Sequence, residues 1–161
     1  MKDKEYVIVE LIPEAISPDK GNLAQISALR IKGVELISRF DYRIDEEKLE
    51  NFDVREMIQY DKEAFTYVNS TEELLKSFKK WAGKSEILIL DNEYTNNFLS
   101  NIKNKKLFIG EYLNMNYTDD FIERVIEKYK LVTSNYIVDL LYEALISEGN
   151  NKKCLSFDKI L

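Results

Sequence analysis

The sequence predicts an α/β fold: a mixed five-stranded sheet, made of a three-strand antiparallel meander and then parallel strands, with helices on both faces. Three observations carry this. Glu5-Tyr6-Val7-Ile8-Val9-Glu10-Leu11-Ile12 is an apolar run rich in β-branched residues, the pattern of a strand buried on both faces. Lys32-Gly33 is a tight hairpin signal between two further strand-like runs, so the chain opens as a meander. From Ser70 onward, helix-period segments alternate with short apolar runs, the order of a sheet with helices packed on its faces.

Taken in order, the first strand puts Tyr6, Ile8, Glu10 and Ile12 on one face and Val7, Val9 and Leu11 on the other, because strand side chains alternate. Pro13, Pro18 and Gly21 punctuate the turn that follows. Residues 22–32 read as the second strand and 34–44 as the third, pairing back. Residues 45–69 are charged and broken, and read as short helices and loop. Ser70-Thr71-Glu72-Glu73 is a capping box. It opens a helix whose apolar face is Leu74, Leu75, Phe78 and Trp81, and Gly83 stops it. Glu86 to Leu90 is another buried strand, ending at Asp91-Asn92, and a polar helix or turn follows it. Lys106 to Gly110 reads as the fifth strand. Thr118 can cap a helix through Lys130, and Thr133 or Ser134 can cap a last helix reaching about Ser147. One domain is expected over residues 1–149, with a C-terminal tail over 150–161.

The chain has 161 residues, 45% of them hydrophobic and 32% charged, which suits one globular domain with a sizeable core. No apolar run is long enough to span a bilayer, so no membrane partner is expected. Met1 to Glu5 leads directly into the first strand, so no signal peptide is expected and the expected location is cytoplasmic. There is one Cys and no His. This removes a disulfide framework, a Cys-based zinc cage, and every Ser-His or Cys-His relay. A net charge of −6 argues against indiscriminate, tight binding to a phosphate backbone, while leaving room for a local basic patch.

Glu10 is the discordant residue, since a buried carboxylate needs a cation, a hydrogen-bond partner or a raised pKa. Val9-Glu10-Leu11-Ile12-Pro13-Glu14-Ala15-Ile16-Ser17-Pro18, followed by Gln25-Ile26-Ser27-Ala28-Leu29, resembles the opening of the DnaQ-like 3′–5′ exonucleases of the DEDDh group. Those typically read F-D-x-E-T-T-G-L-S-P and then E-I-G-A-V at this spacing. The likeness continues through Phe78 to Trp81 and Ile87 to Leu99, and ends in Ser134-Asn135-Tyr136-Ile137-Val138-Asp139. It spans roughly residues 5–147 and implies an RNase H-like fold. In that family four acidic groups hold two divalent ions that activate water and stabilise the leaving oxygen, and a His serves as general base.

Carried over position by position, the resemblance puts Glu10 at the first Asp and Ile12 at the Glu. Thr95 falls at the second Asp, Ser134 at the His, and Asp139 at the final Asp. Ala15 replaces a turn Gly, and the loop near Ile58-Gln59-Tyr60 lacks its usual Gly. Two of four carboxylates and the His are therefore missing, which implies that hydrolysis is lost and that no catalytic residue is assigned. The residual metal candidates are Glu10, Asp139 and Asp91, with Glu93 beside the last. Each also has a plainer reading: Glu10 as a carboxylate held by a hydrogen bond or Lys, Asp139 on an ordinary polar stripe, Asp91 and Glu93 in an exposed turn.

No cofactor is expected, and Mg²⁺ or Mn²⁺ only if activity remains. Lys76, Lys79, Lys80 and Lys84, and separately Lys103, Lys105 and Lys106, are phosphate-contact candidates or simply solvated faces. Tyr94, Tyr112 and Tyr136 are candidates for base stacking or for core. The expectation is an exonuclease-like domain, catalytically inactive, that binds single-stranded RNA or DNA or plays a regulatory part. The alternatives are an atypical metal-dependent 3′–5′ exonuclease, or a subunit that contacts only a protein partner.

Overall fold

The structure is a computed structural model that describes residues 4–151; the tail beyond Asn151 lies outside the described residues. Its strands are β1 (Glu5–Pro13), β2 (Leu23–Lys32), β3 (Glu35–Ile44), β4 (Thr66–Val68), β5 (Glu86–Ile89) and β6 (Lys106–Phe108). Its helices are α1 (Phe52–Met57), α2 (Thr71–Ala82), α3 (Glu93–Phe98), α4 (Gly110–Leu113), α5 (Phe121–Tyr129) and α6 (Ile137–Asn151).

β1 lies at the centre because it is apolar on both faces. It pairs antiparallel with β2 and parallel with β5, and the sheet order is β4-β3-β2-β1-β5-β6. Val7, Val9 and Leu11 enter one core with Leu74, Phe78 and Ala82 of α2. Tyr6 and Ile8 enter the other with Phe121 and Val125 of α5 and Leu141, Ala144 and Leu145 of α6. This is the expected mixed sheet with helices on both faces. Ile12 differs from the alternation. It belongs to the core cluster that holds Val9 and Leu11, at the end of β1 where the register with β2 shifts between Ile12 and Pro13.

The local signals act largely as read. Gly33 has φ 62° in the β2–β3 turn, a conformation that favours glycine. The Ser70 side chain accepts from the Glu73 N–H at 3.1 Å, and the Glu73 carboxylate reaches back to the Asn69 N–H at 3.1 Å. Gly83, with φ 59°, ends α2. Three readings need correction. α6 begins at Ile137 rather than from a Thr133 or Ser134 cap, and it runs past Gly149 to Asn151. The sheet has a sixth strand, since β4 pairs parallel with Tyr42 to Ile44 of β3; three residues are too few to show a period in the sequence. Thr118 does not cap α5: its hydroxyl donates to Asp120 at 2.6 Å, and the helix begins at Phe121.

Phe78 is fully buried between α2 and the sheet. Phe78→Ala is expected to cost about 3–5 kcal/mol in urea denaturation, the usual range for an aromatic cavity. The neighbouring exposed Lys79→Ala is expected to stay within about 0.5 kcal/mol of the parent.

Candidate functional site

Register across the meander builds the floor of the cleft. Glu10 lies opposite Ser27, and Ser27 opposite Asp41, so the three share one face of adjacent strands. One rung along, Ile12 is opposite Gln25 and Gln25 opposite Arg43; one rung the other way, Ile8, Leu29 and Arg39 line up. The start of α6 closes over this face. It brings Asp139 to Arg39 across 100 residues of sequence.

The charges of that face are mutually held. Arg39 donates to both carboxylate oxygens of Asp139, at 2.8 and 3.2 Å, and from its Nε to Asp41 at 3.0 Å. A bidentate pair of this kind is among the stronger hydrogen-bonded ion pairs. The guanidinium also lies 4.9 Å from the centre of the Tyr136 ring. Burial works against the Arg39 cation, but the hydrogen bonds with Asp139 and Asp41 outweigh it and hold its pKa above the usual value.

Glu10 is 8% exposed. Burial pushes its pKa up to about 8; the Ile137 N–H at the head of α6 opposes this, and the nearby Asp41 charge adds to it. One oxygen of the carboxyl has no hydrogen-bond partner among the described residues. At neutral pH Glu10 is therefore mostly a neutral acid.

Arg43 fills the next rung and is 1% exposed. Its Nε donates to the Gln25 carbonyl oxygen at 2.6 Å. The Gln25 amide in turn donates to the Tyr60 hydroxyl at 2.8 Å. The guanidinium carbon sits 3.6 Å from the Phe65 ring centre and 4.8 Å from that of Tyr60, a geometry in which ring faces stabilise a cation. Its two terminal nitrogens have no hydrogen-bond partner among the described residues. Tyr60, Phe65 and Tyr136 form an aromatic cap: Tyr60 meets both other rings edge-on, at 5.9 and 5.6 Å. The Tyr136 hydroxyl donates to Asp61 at 2.7 Å.

The remaining positions named from the sequence, Thr95 and Ser134, supply neither a carboxylate nor an imidazole. Thr95 is buried in α3, its N–H bonded to the Asn92 side chain at 2.8 Å. Ser134 is exposed and accepts from the Tyr136 N–H at 3.0 Å. Asp91 is exposed and lines a separate groove with Gly110, Asn114 and Tyr117. Glu93 is exposed in the first turn of α3. Sequence reading missed Arg39, Asp41 and Arg43. The signal was present, as three charged residues at alternate positions of a strand that pairs inside the sheet.

A pair of Mg²⁺ or Mn²⁺ ions needs several ionised oxygens directed at one point. Here Glu10 is buried with one N–H partner, Ile12 is apolar, and Asp41 and Asp139 are held by a guanidinium. Among the described residues no group of three His, Cys, Asp or Glu side chains is placed to hold a metal ion. The donor set does not fit a two-metal centre.

The buried Glu10 makes stability depend on pH with a definite sign. Between about pH 4.5 and pH 8 the unfolded chain has released this proton while the native state keeps it. Glu10 therefore lowers stability as pH rises through that window, by up to about 1.4 kcal/mol per pH unit, and has no further effect above it. Urea denaturation from pH 5 to 9 is expected to show the decline, and Glu10→Gln to flatten it.

No protein-family model and no curated protein matches the chain. Solved structures do. A structure described as an ExoI/SSB-Ct complex aligns with TM-score 0.63 at 13% identity, over 97% of this chain and 43% of that one. A zinc-bound E. coli ExoI–ssDNA complex aligns with TM-score 0.59 at 13% identity, over 97% and 42%. Exonuclease X in complex with 5′ overhanging duplex DNA aligns with TM-score 0.63 at 8% identity, over 96% of both chains. The chain thus spans less than half of these exonuclease I chains but nearly all of exonuclease X. It has the RNase H-like fold of DnaQ-like 3′–5′ exonucleases.

Proposed function

We propose that this chain is an exonuclease-fold domain that binds single-stranded nucleic acid without hydrolysing it. The observation that supports this most directly is the Arg39 guanidinium held between Asp41 and Asp139. It supplies a fixed positive charge from the chain itself to Asp139, which matches the final metal ligand of the family. Arg43 adds a second guanidinium one rung beyond Asp41. Ile12 and a protonated Glu10 remove the remaining reason for a dication to enter. Without metal-activated water, a His or another poised base, the cleft offers no group to attack a phosphodiester.

The binding half of the reading draws on the fold relatives, among them exonuclease I with an oligonucleotide and exonuclease X with duplex DNA. The net charge of −6 implies weak, strongly salt-dependent affinity. A cytoplasmic setting, a single domain to residue 149 and a short tail belong to the same reading.

The test is incubation of 5′-labelled single-stranded RNA and DNA with the protein and excess Mg²⁺ or Mn²⁺. No 3′-end shortening is expected, and Mn²⁺ is expected to leave the melting temperature unchanged, because an ion that bound the native state would raise it. Metal-dependent shortening that vanishes in Glu10→Gln and Asp139→Asn would overturn the inactive reading in favour of an atypical exonuclease. Absence of oligonucleotide binding even at low salt would favour a protein partner instead.

A further inference from the structure

Resting on that reading, we infer that single-stranded nucleic acid lies in the groove between α2 and the free edge of β3 rather than in the carboxylate cleft. The groove has a volume of about 610 Å³ and is lined by Arg30, Arg39 and Lys80 together with Phe40, Tyr42 and Trp81, with no acidic residue in its lining. In a chain of net charge −6, a lining without acidic residues that sets exposed Lys80 beside aromatic rings stands apart, although Arg30 pairs with Glu5 and Arg39 with Asp41 and Asp139 outside the lining. It is also the composition of a single-strand surface, in which cations meet the backbone and rings stack on bases; Tyr42 and Trp81 are the partly exposed rings here, while Phe40 is buried and backs them.

The aromatic panel is held in place before any ligand arrives. Phe40 and Tyr42 stack in parallel with ring centres 4.0 Å apart, and Trp81 lies 5.3 Å from Phe40. The Trp81 indole N–H donates to the Ser38 hydroxyl at 2.7 Å. Arg30 is tied to the Trp81 carbonyl oxygen and its guanidinium lies 5.5 Å from the Trp81 ring centre. Lys80 is exposed one residue before Trp81, with Lys76 and Lys79 on the same helix. On the α6 face, by contrast, Arg39 is taken up by Asp41 and Asp139, and Arg43 is buried against Phe65 and Tyr60.

The sheet leaves the approach open. β4 pairs with β3 only over Tyr42 to Ile44, so the outer edge of β3 from Glu35 to Asp41 has no strand partner among the described residues. Arg39 stands on this edge. It lines the groove and reaches Asp139 in the cleft.

Trp81 is the only Trp in the chain, so its fluorescence reports this groove specifically. Unlabelled dT12 titrated into the full chain at low salt is expected to quench Trp81, with the same midpoint as the anisotropy of labelled dT12. Lys80→Glu is expected to weaken both by about fivefold or more, since it reverses one phosphate-facing charge. Lys20→Glu, exposed in the turn between β1 and β2, controls for net charge and is expected to leave the midpoint within about twofold. Anisotropy binding without a Trp81 signal and without a Lys80 effect would overturn the groove assignment while leaving the proposed function intact. Absence of binding by either readout would overturn both. Equal quenching by poly-glutamate at matched charge would make this an acidic-polypeptide surface and overturn the nucleic-acid assignment.

Discussion

The Arg39 guanidinium between Asp41 and Asp139 fixes how this cleft is organised. Two carboxylates from different elements repel unless a cation sits between them, and the chain supplies that cation from the same strand as Asp41. The pair joins β3 to the head of α6. Both partners are partly exposed, so its direct contribution to stability is modest, about 1 kcal/mol or less. Its weight lies in what it prevents, because a carboxylate already engaged by a bidentate guanidinium is a poor ligand for a hydrated dication.

The same logic runs along the floor of the cleft. Glu10 keeps its proton because burial outweighs the single N–H from Ile137, which avoids a buried negative charge. Arg43 brings a guanidinium into the same row, 1% exposed. Gln25 and the faces of Phe65 and Tyr60 hold it. The charges along this face therefore offset one another: burial favours the neutral form of Glu10, and Arg39 meets Asp41 and Asp139. The groove on the other side of β3 shares Arg39 with these carboxylates, and its Arg30 pairs with Glu5, so Lys80 is the cation it offers most openly to an outside partner.

The fold was legible because its signals are local. The double-sided apolar run of β1, the Gly33 turn, the Ser70 cap and the Gly83 stop each act within a few residues of themselves. Misses fell where local signals are thin. β4 is three residues long, too short for a period, and Thr118 has a cap-like identity but spends its hydroxyl on Asp120. Of the candidate site, Glu10 and Asp139 were singled out from the sequence, whereas the arginines that lie on the same face were not. Arg39, Asp41 and Arg43 alternate on a strand in plain view, but alternation alone does not say whether a charged row faces solvent or a helix.

By itself, then, the sequence determined the elements and their order, since those are properties of single positions and short windows. Only the tertiary structure decided what the surviving carboxylates do. That outcome depends on strand register, which sets Glu10, Ser27 and Asp41 side by side. It depends equally on the docking of α6, which carries Asp139 to Arg39 from 100 residues away. Charges act through space on whatever lies within a few ångströms. The neighbours of Glu10 and Asp139 exist only once the sheet and α6 have closed around them.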